Sequence, residues 1–89
     1  MRAVGESMIG VGIYPGDILV VDRSLTPIHG SIVIAVINSD LTVKRLCKVA
    51  TLKRLESENP EFPPIEIGDD MEVWCWGVVT AAIREFGRR

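Results

Sequence analysis

The chain has 89 residues, 47% of them apolar and 25% charged, with a formal net charge of −2, which is the composition of a globular domain and not of a disordered segment. This length holds one domain at most, and a domain this small buries only roughly 60 to 65% of its unfolded surface, so its core is thin. Ten Lys and Arg are spread among twelve Asp and Glu, without the basic cluster that a phosphate backbone attracts, and no apolar run approaches the ~20 residues of a membrane span. Neither direct nucleic-acid binding nor membrane insertion is expected.

The first residues lack the apolar core of a secretory signal. Gly5-Glu6-Ser7-Met8 displays a serine after a glycine, as a tight turn can. The apolar residues Met8, Ile9, Val11 and Ile13 mark one helical turn after it, but Gly10 and Gly12 make a longer helix costly. These glycines are not a dinucleotide fingerprint, since Ile13-Tyr14-Pro15 follows them where a third glycine is needed.

From Tyr14-Pro15-Gly16-Asp17 onward the chain alternates turn signals with β-branched runs. Residues 18–21, 32–37, 41–46 and 73–79 read as strands. Thr26-Pro27-Ile28-His29-Gly30 separates the first two and makes the single histidine, His29, a surface turn residue. Asn38-Ser39-Asp40 reads as a three-residue hairpin link. Three prolines in 57–64 forbid helix and sheet interior, which predicts an extended surface loop. Residues 65–67 can add an edge strand, and 71–86 form one long strand or a strand pair. An all-β chain with little helix is expected.

Cys47 and Cys75 lie apart in strand-like runs with no second cysteine or histidine at metal-ligand spacing, so they read as buried reduced thiols. No metal or cofactor is expected, and the cysteine usage favours the cytoplasm. Trp74 and Trp76 share a strand face at spacing two. They read as packing or dimer contact, with the apolar stretch 74–83, Val79 within it, as the expected twofold interface.

Taken alone, Ser7 is best read as a turn or cap residue, because a nucleophile needs a base. Lys44 is the better candidate base, His29 having no triad-like company. Strand alternation puts Thr42, Lys44 and Leu46 on one face and Leu41, Val43 and Arg45 on the other, so one of the two adjacent cations can be buried. A lysine acting as a base near neutrality must titrate well below its ordinary ~10.4, and apolar burial drives it that way. On periodicity alone, a Lys44 that snorkels to water is the simpler reading.

Resemblance decides between them. Gly5-Glu6-Ser7-Met8-Ile9-Gly10-Val11-Gly12-Ile13, then Gly16-Asp17-Ile18-Leu19-Val20-Val21-Asp22, then Val43-Lys44-Arg45-Leu46, resemble the LexA/UmuD family of Ser/Lys self-cleaving peptidases in content and order. Lys44 follows Ser7 by 37 residues, close to that family's spacing. Residues 21–30, followed by Ile32 to Ala35, resemble the UmuD and MucA branch more than the LexA repressors, and the segment from Glu58-Asn59-Pro60 to Ile67 and the closing Trp76-Gly77-Val78-Val79 are similar as well.

The resemblance covers nearly the whole chain. It implies a compact, curved antiparallel sheet in which Ser7 is the nucleophile, Lys44 the general base, and the Ser7 backbone N–H one oxyanion donor, the second donor unassigned. It further implies cleavage of the protein's own N-terminal arm at an Ala-Gly or Cys-Gly bond, promoted by a RecA filament on single-stranded DNA. The cut form would then act as a homodimer bound to a UmuC-like error-prone polymerase subunit in DNA-damage-induced mutagenesis.

Two departures stand out. Glu6 replaces the more usual Asp before the serine. Only six residues precede Ser7 and neither cleavage dipeptide occurs, which predicts a single-domain core, residues 1–89, without its cleavable arm. Two rival readings follow: a mature polymerase-binding module with no remaining substrate, and the self-cleavage half of a LexA-type repressor, which needs an upstream helix-turn-helix domain. A signal peptidase, the other Ser/Lys enzyme, calls for a membrane anchor.

Overall fold

The computed structural model describes residues 1–5, 7–68 and 73–86. Glu6 and Met71, both used in the sequence reading, lie outside the described residues. One antiparallel sheet organises the chain: β1 (Ile18–Asp22), β2 (Ile32–Ile37), β3 (Asp40–Val49), β4 (Leu52–Glu56), β5 (Ile65–Glu66) and β6 (Val73–Ile83), in the spatial order β1-β6-β2-β3-β4-β5. The only described helix is the 3₁₀ turn Ile9–Val11. The expected mostly β architecture, with one helical turn after Ser7, is the one observed.

The hairpin between β2 and β3 is tighter than the sequence suggests. Ile37 pairs with Asp40, so the loop is Asn38-Ser39 alone, both at positive φ (48° and 75°), the mirror-image turn whose twist suits flanking strands. Asp40 therefore belongs to β3. β4 has no counterpart in the sequence reading. Its connection is the two-residue turn Ala50-Thr51, set by the Val49–Leu52 pair, which carries none of the usual turn residues. Leu52-Lys53-Arg54-Leu55-Glu56 also lacks the alternation of a half-buried strand.

Two apolar clusters lie on opposite faces of the central strands, as alternation along β2 requires. Ile34 joins Ala3, Met8, Ile13 and Leu19 on the face covered by the N-terminal segment. Val33 and Ala35 join Leu55 and Val78 on the other. A bulge in β6, between the pairs Ile34–Gly77 and Ala35–Cys75, leaves Trp76 unpaired and keeps it on the first face. There it packs against the cluster beneath the Arg23 guanidinium, 4.2 Å from its ring centroid.

Two sequence expectations are corrected here, those of the two thiols. Cys75 is exposed and Cys47 only half-buried. Val79 is partly buried and packs against the first cluster. The large exposed apolar residues of the 74–83 stretch are Trp74, 54% exposed, and Ile83, 50% exposed.

Candidate active site

The turn that carries Ser7 is tied down directly behind it. Met8 is 2% exposed; its carbonyl accepts from Val11 N–H at 3.2 Å and Ile13 N–H at 3.3 Å, while Gly12 N–H reaches Ile9 O at 2.9 Å. Gly12 closes the turn at φ 86°, a conformation that favours glycine. On the strand side, Gly10 N–H donates to Glu58 O at 2.6 Å, and a side chain at Gly10 would collide with that carbonyl.

Half-buried Ser7 lines a hollow of 220 Å³ together with Gly5, Met8, Ile34, Thr42 and Val43. Its backbone N–H makes no backbone hydrogen bond among the described residues. Because β4 pairs with β3 only from Arg45 onward, residues 41–43 present an unpaired edge of β3 among the described residues. The hollow runs along that edge.

Lys44 follows directly. It pairs with Val33 across the sheet, which sets its side chain on the Val33 face, opposite to Val43, as strand alternation predicts. At 7% exposure it is buried, and this desolvation pushes its pKa below the ordinary lysine value. Its Nζ donates to Ser57 Oγ at 2.8 Å and lies 5.8 Å from the Phe62 ring centroid. No carboxylate forms an ion pair with it among the described residues. An ammonium has three hydrogens to satisfy whereas a neutral amine has two and a lone pair, so this apolar pocket with one hydroxyl suits the neutral form.

Arg45 projects the other way and pairs with Glu58 at 2.6 Å. The adjacent cations thus divide as alternation demands, one buried and one partly solvated. Among the described residues no hydrogen bond joins Ser7 to Lys44: Lys44 is held by Ser57, and Ser7 faces the β3 edge just before it.

Ser57 was not singled out by sequence reasoning, and Glu58 was named only within the segment that carries the resemblance, because 57–64 reads as surface loop. Only the β3–β4 register, with Arg45 opposite Glu56, brings Ser57 opposite Lys44. His29 is exposed as expected, its Nδ1 accepting from Lys48 N–H at 3.0 Å. Among the described residues no group of three or more His, Cys, Asp or Glu side chains is arranged to hold a metal ion. None of the described helical structure is long and apolar enough to cross a membrane.

Residues 1–80 match the Peptidase S24-like family. The chain belongs to that family. This S24-like chain is 48% identical over 86 residues to Protein MucA of Salmonella typhimurium, covering 96% of the chain and 58% of MucA. It is also 38% identical over 86 residues to the LexA repressor of Syntrophotalea carbinolica, covering 97% of the chain and 43% of the repressor. A LexA repressor of Clostridioides difficile is 44% identical over 85 residues, covering 94% and 40% respectively. The S24-like chain therefore spans little more than half of MucA and about two-fifths of these repressors.

Proposed function

We propose that this S24-like chain is the core of a UmuD/MucA-type self-cleaving peptidase of the SOS response, with Ser7 as nucleophile and Lys44 as general base. The observation that carries the reading is Lys44 itself. It is a buried lysine with a depressed pKa and no ion-pair partner among the described residues, next in the chain to the strand edge that Ser7 faces.

In the reaction, Ser7 Oγ attacks the scissile carbonyl as its proton passes to the Lys44 lone pair, giving a tetrahedral oxyanion. The Ser7 backbone N–H is a donor to that oxyanion. When the intermediate collapses, the C–N bond breaks and the Lys44 proton leaves with the amine. Water then hydrolyses the acyl-serine: Lys44 takes a proton from the water and returns it to Ser7 Oγ as the acyl–oxygen bond breaks, which restores both side chains. The free edge at residues 41–43 suits a substrate held as an added strand.

The substrate in this reading is the protein's own N-terminal arm, with a RecA filament on single-stranded DNA as co-activator. The mature form is a cytoplasmic homodimer that serves a UmuC-like polymerase, its twofold contact including exposed Trp74 and Ile83. The identity to LexA repressors favours, as the second reading, the self-cleavage half of such a repressor. The higher identity to MucA favours the first.

Cleavage in trans tests the peptidase assignment. A full-length MucA-like protein with its nucleophile replaced by alanine is incubated with this chain from pH 6 to 10. Cleavage that rises with pH and is lost in both Ser7→Ala and Lys44→Ala is expected. Equal inertness of all three folded proteins would reject the catalytic reading in favour of a mature binding module.

A further inference from the structure

We propose that Ser57 is a positioning residue for Lys44: its Oγ takes one amine hydrogen and so sets the direction in which the nitrogen lone pair faces. This rests on the reading of Lys44 as the general base.

The case is geometric. Arg45 pairs with Glu56 at the end of β4, so Ser57, one residue on, lies across from Lys44 on the same face, and their side chains meet at 2.8 Å. The next residue fixes Ser57 in place from three directions. Glu58 O accepts from Gly10 N–H at 2.6 Å, Glu58 N–H donates to Met8 Sδ at 3.4 Å, and the Glu58 carboxylate pairs with Arg45 at 2.6 Å. The backbone that presents the Ser57 hydroxyl is thereby bonded both to the turn bearing Ser7 and to the strand bearing Lys44. Movement of either would pass through it.

The chemistry gives that hydroxyl a use. Neutral Lys44 carries two hydrogens and one lone pair. Committing one hydrogen to Ser57 confines the lone pair to the directions left open on the side away from that hydroxyl. When the Ser7 O–H bond breaks, its proton forms the third N–H bond on Lys44, and Ser57 goes on accepting its hydrogen throughout. That bond strengthens as the amine becomes a cation, so the same hydroxyl also stabilises the protonated product of the transfer.

Ser57→Thr and Ser57→Val test this, because their side chains match in shape and differ in the hydroxyl. In the trans-cleavage assay the threonine variant should stay within about threefold of the wild type. The valine variant should lose about tenfold to a hundredfold in plateau rate, the range for a hydrogen bond to a charged group, and its rising limb should move to lower pH. Direct titration of Lys44 by ¹³C NMR at Cε in the Ser7→Ala background should show the same downward displacement for valine and not for threonine. A merely structural role would lower the urea midpoint without separating the two variants in titration or rate. Identical Lys44 titrations overturn the proposal, as does a displaced titration with an unchanged plateau rate. Loss of the peptidase reading would be recognised separately, by a Ser7→Ala protein as active as the wild type.

Discussion

Asp17 and Arg84, 67 residues apart in the chain, form a two-point ion pair, with Arg84 Nε donating to Asp17 Oδ1 at 3.0 Å and Nη2 to Oδ2 at 3.0 Å. Arg84 Nη2 also reaches Gly12 O at 2.7 Å, and Tyr14 N–H donates to the buried carboxylate at 2.9 Å. The segment leaving β6 is thus fastened to the turn that follows Ser7. The Arg84 hydrogen bonds, with that of Tyr14, hold the Asp17 pKa below its ordinary 3.8. A depressed carboxylate stabilises the fold above its unfolded value and loses that contribution as pH falls through the folded value. Asp17→Asn should therefore lower the urea midpoint at neutral pH, and the gap to wild type should close as pH drops below 3.8. A gap independent of pH would contradict this role.

Lys44→Met is expected to trade activity for stability. Methionine fills the same volume without a polar head, so relief from burying the amine should raise unfolding free energy by about 1 kcal/mol while abolishing cleavage. The sign with pH follows from the downward shift of Lys44: the folded protein sheds its proton before the unfolded chain does, so wild-type stability rises with pH above the folded pKa. The advantage of the methionine variant should be largest at low pH and shrink toward pH 10.5, the ordinary lysine value. Denaturant melts at three pH values suffice to check it.

Gly10→Ala adds a methyl group where the Glu58 carbonyl already stands. Overpacking of this kind costs about 1 to 3 kcal/mol. Since the displaced contact joins the Ser7 turn to the segment after β4, the cleavage rate should fall along with the urea midpoint. A Gly10→Ala protein of wild-type stability would mean that this contact is dispensable.

Ala50 takes φ 53° in the turn between β3 and β4, where a side chain costs roughly 1 to 2 kcal/mol. Ala50→Gly removes that strain and adds unfolded-state entropy of roughly 0.5 to 1 kcal/mol. A net gain of about 0.5 kcal/mol is expected by urea denaturation, with no change in cleavage.

Most of the sheet is legible in residues alone. β2 coincides with its β-branched run, and β1, β3 and β6 contain theirs, because each must bury at least one apolar face, and the turns before β1 and β2 and between β2 and β3 carry Pro, Gly or Asn. β4 was hidden by the same logic. Its turn uses Ala50 against local preference, and its residues are mixed because only Leu55 reaches the interior. A turn held in place by pairing on both sides leaves no mark in composition.

For the site, the sequence by itself determined the chemistry on offer: a serine on a glycine-bounded turn, and a lysine whose strand neighbours put it on the face opposite Arg45. Family resemblance then joined the two. Burial of Lys44, the choice of Ser57 as its partner, and the open β3 edge beside Ser7 were decided only by tertiary structure. They depend on which strands become neighbours and where β4 stops pairing. A residue's own spacing reports its face on a strand, but the dielectric and hydrogen bonding around it come from chain segments far away in sequence, and those set whether a lysine is a solvated cation or a base.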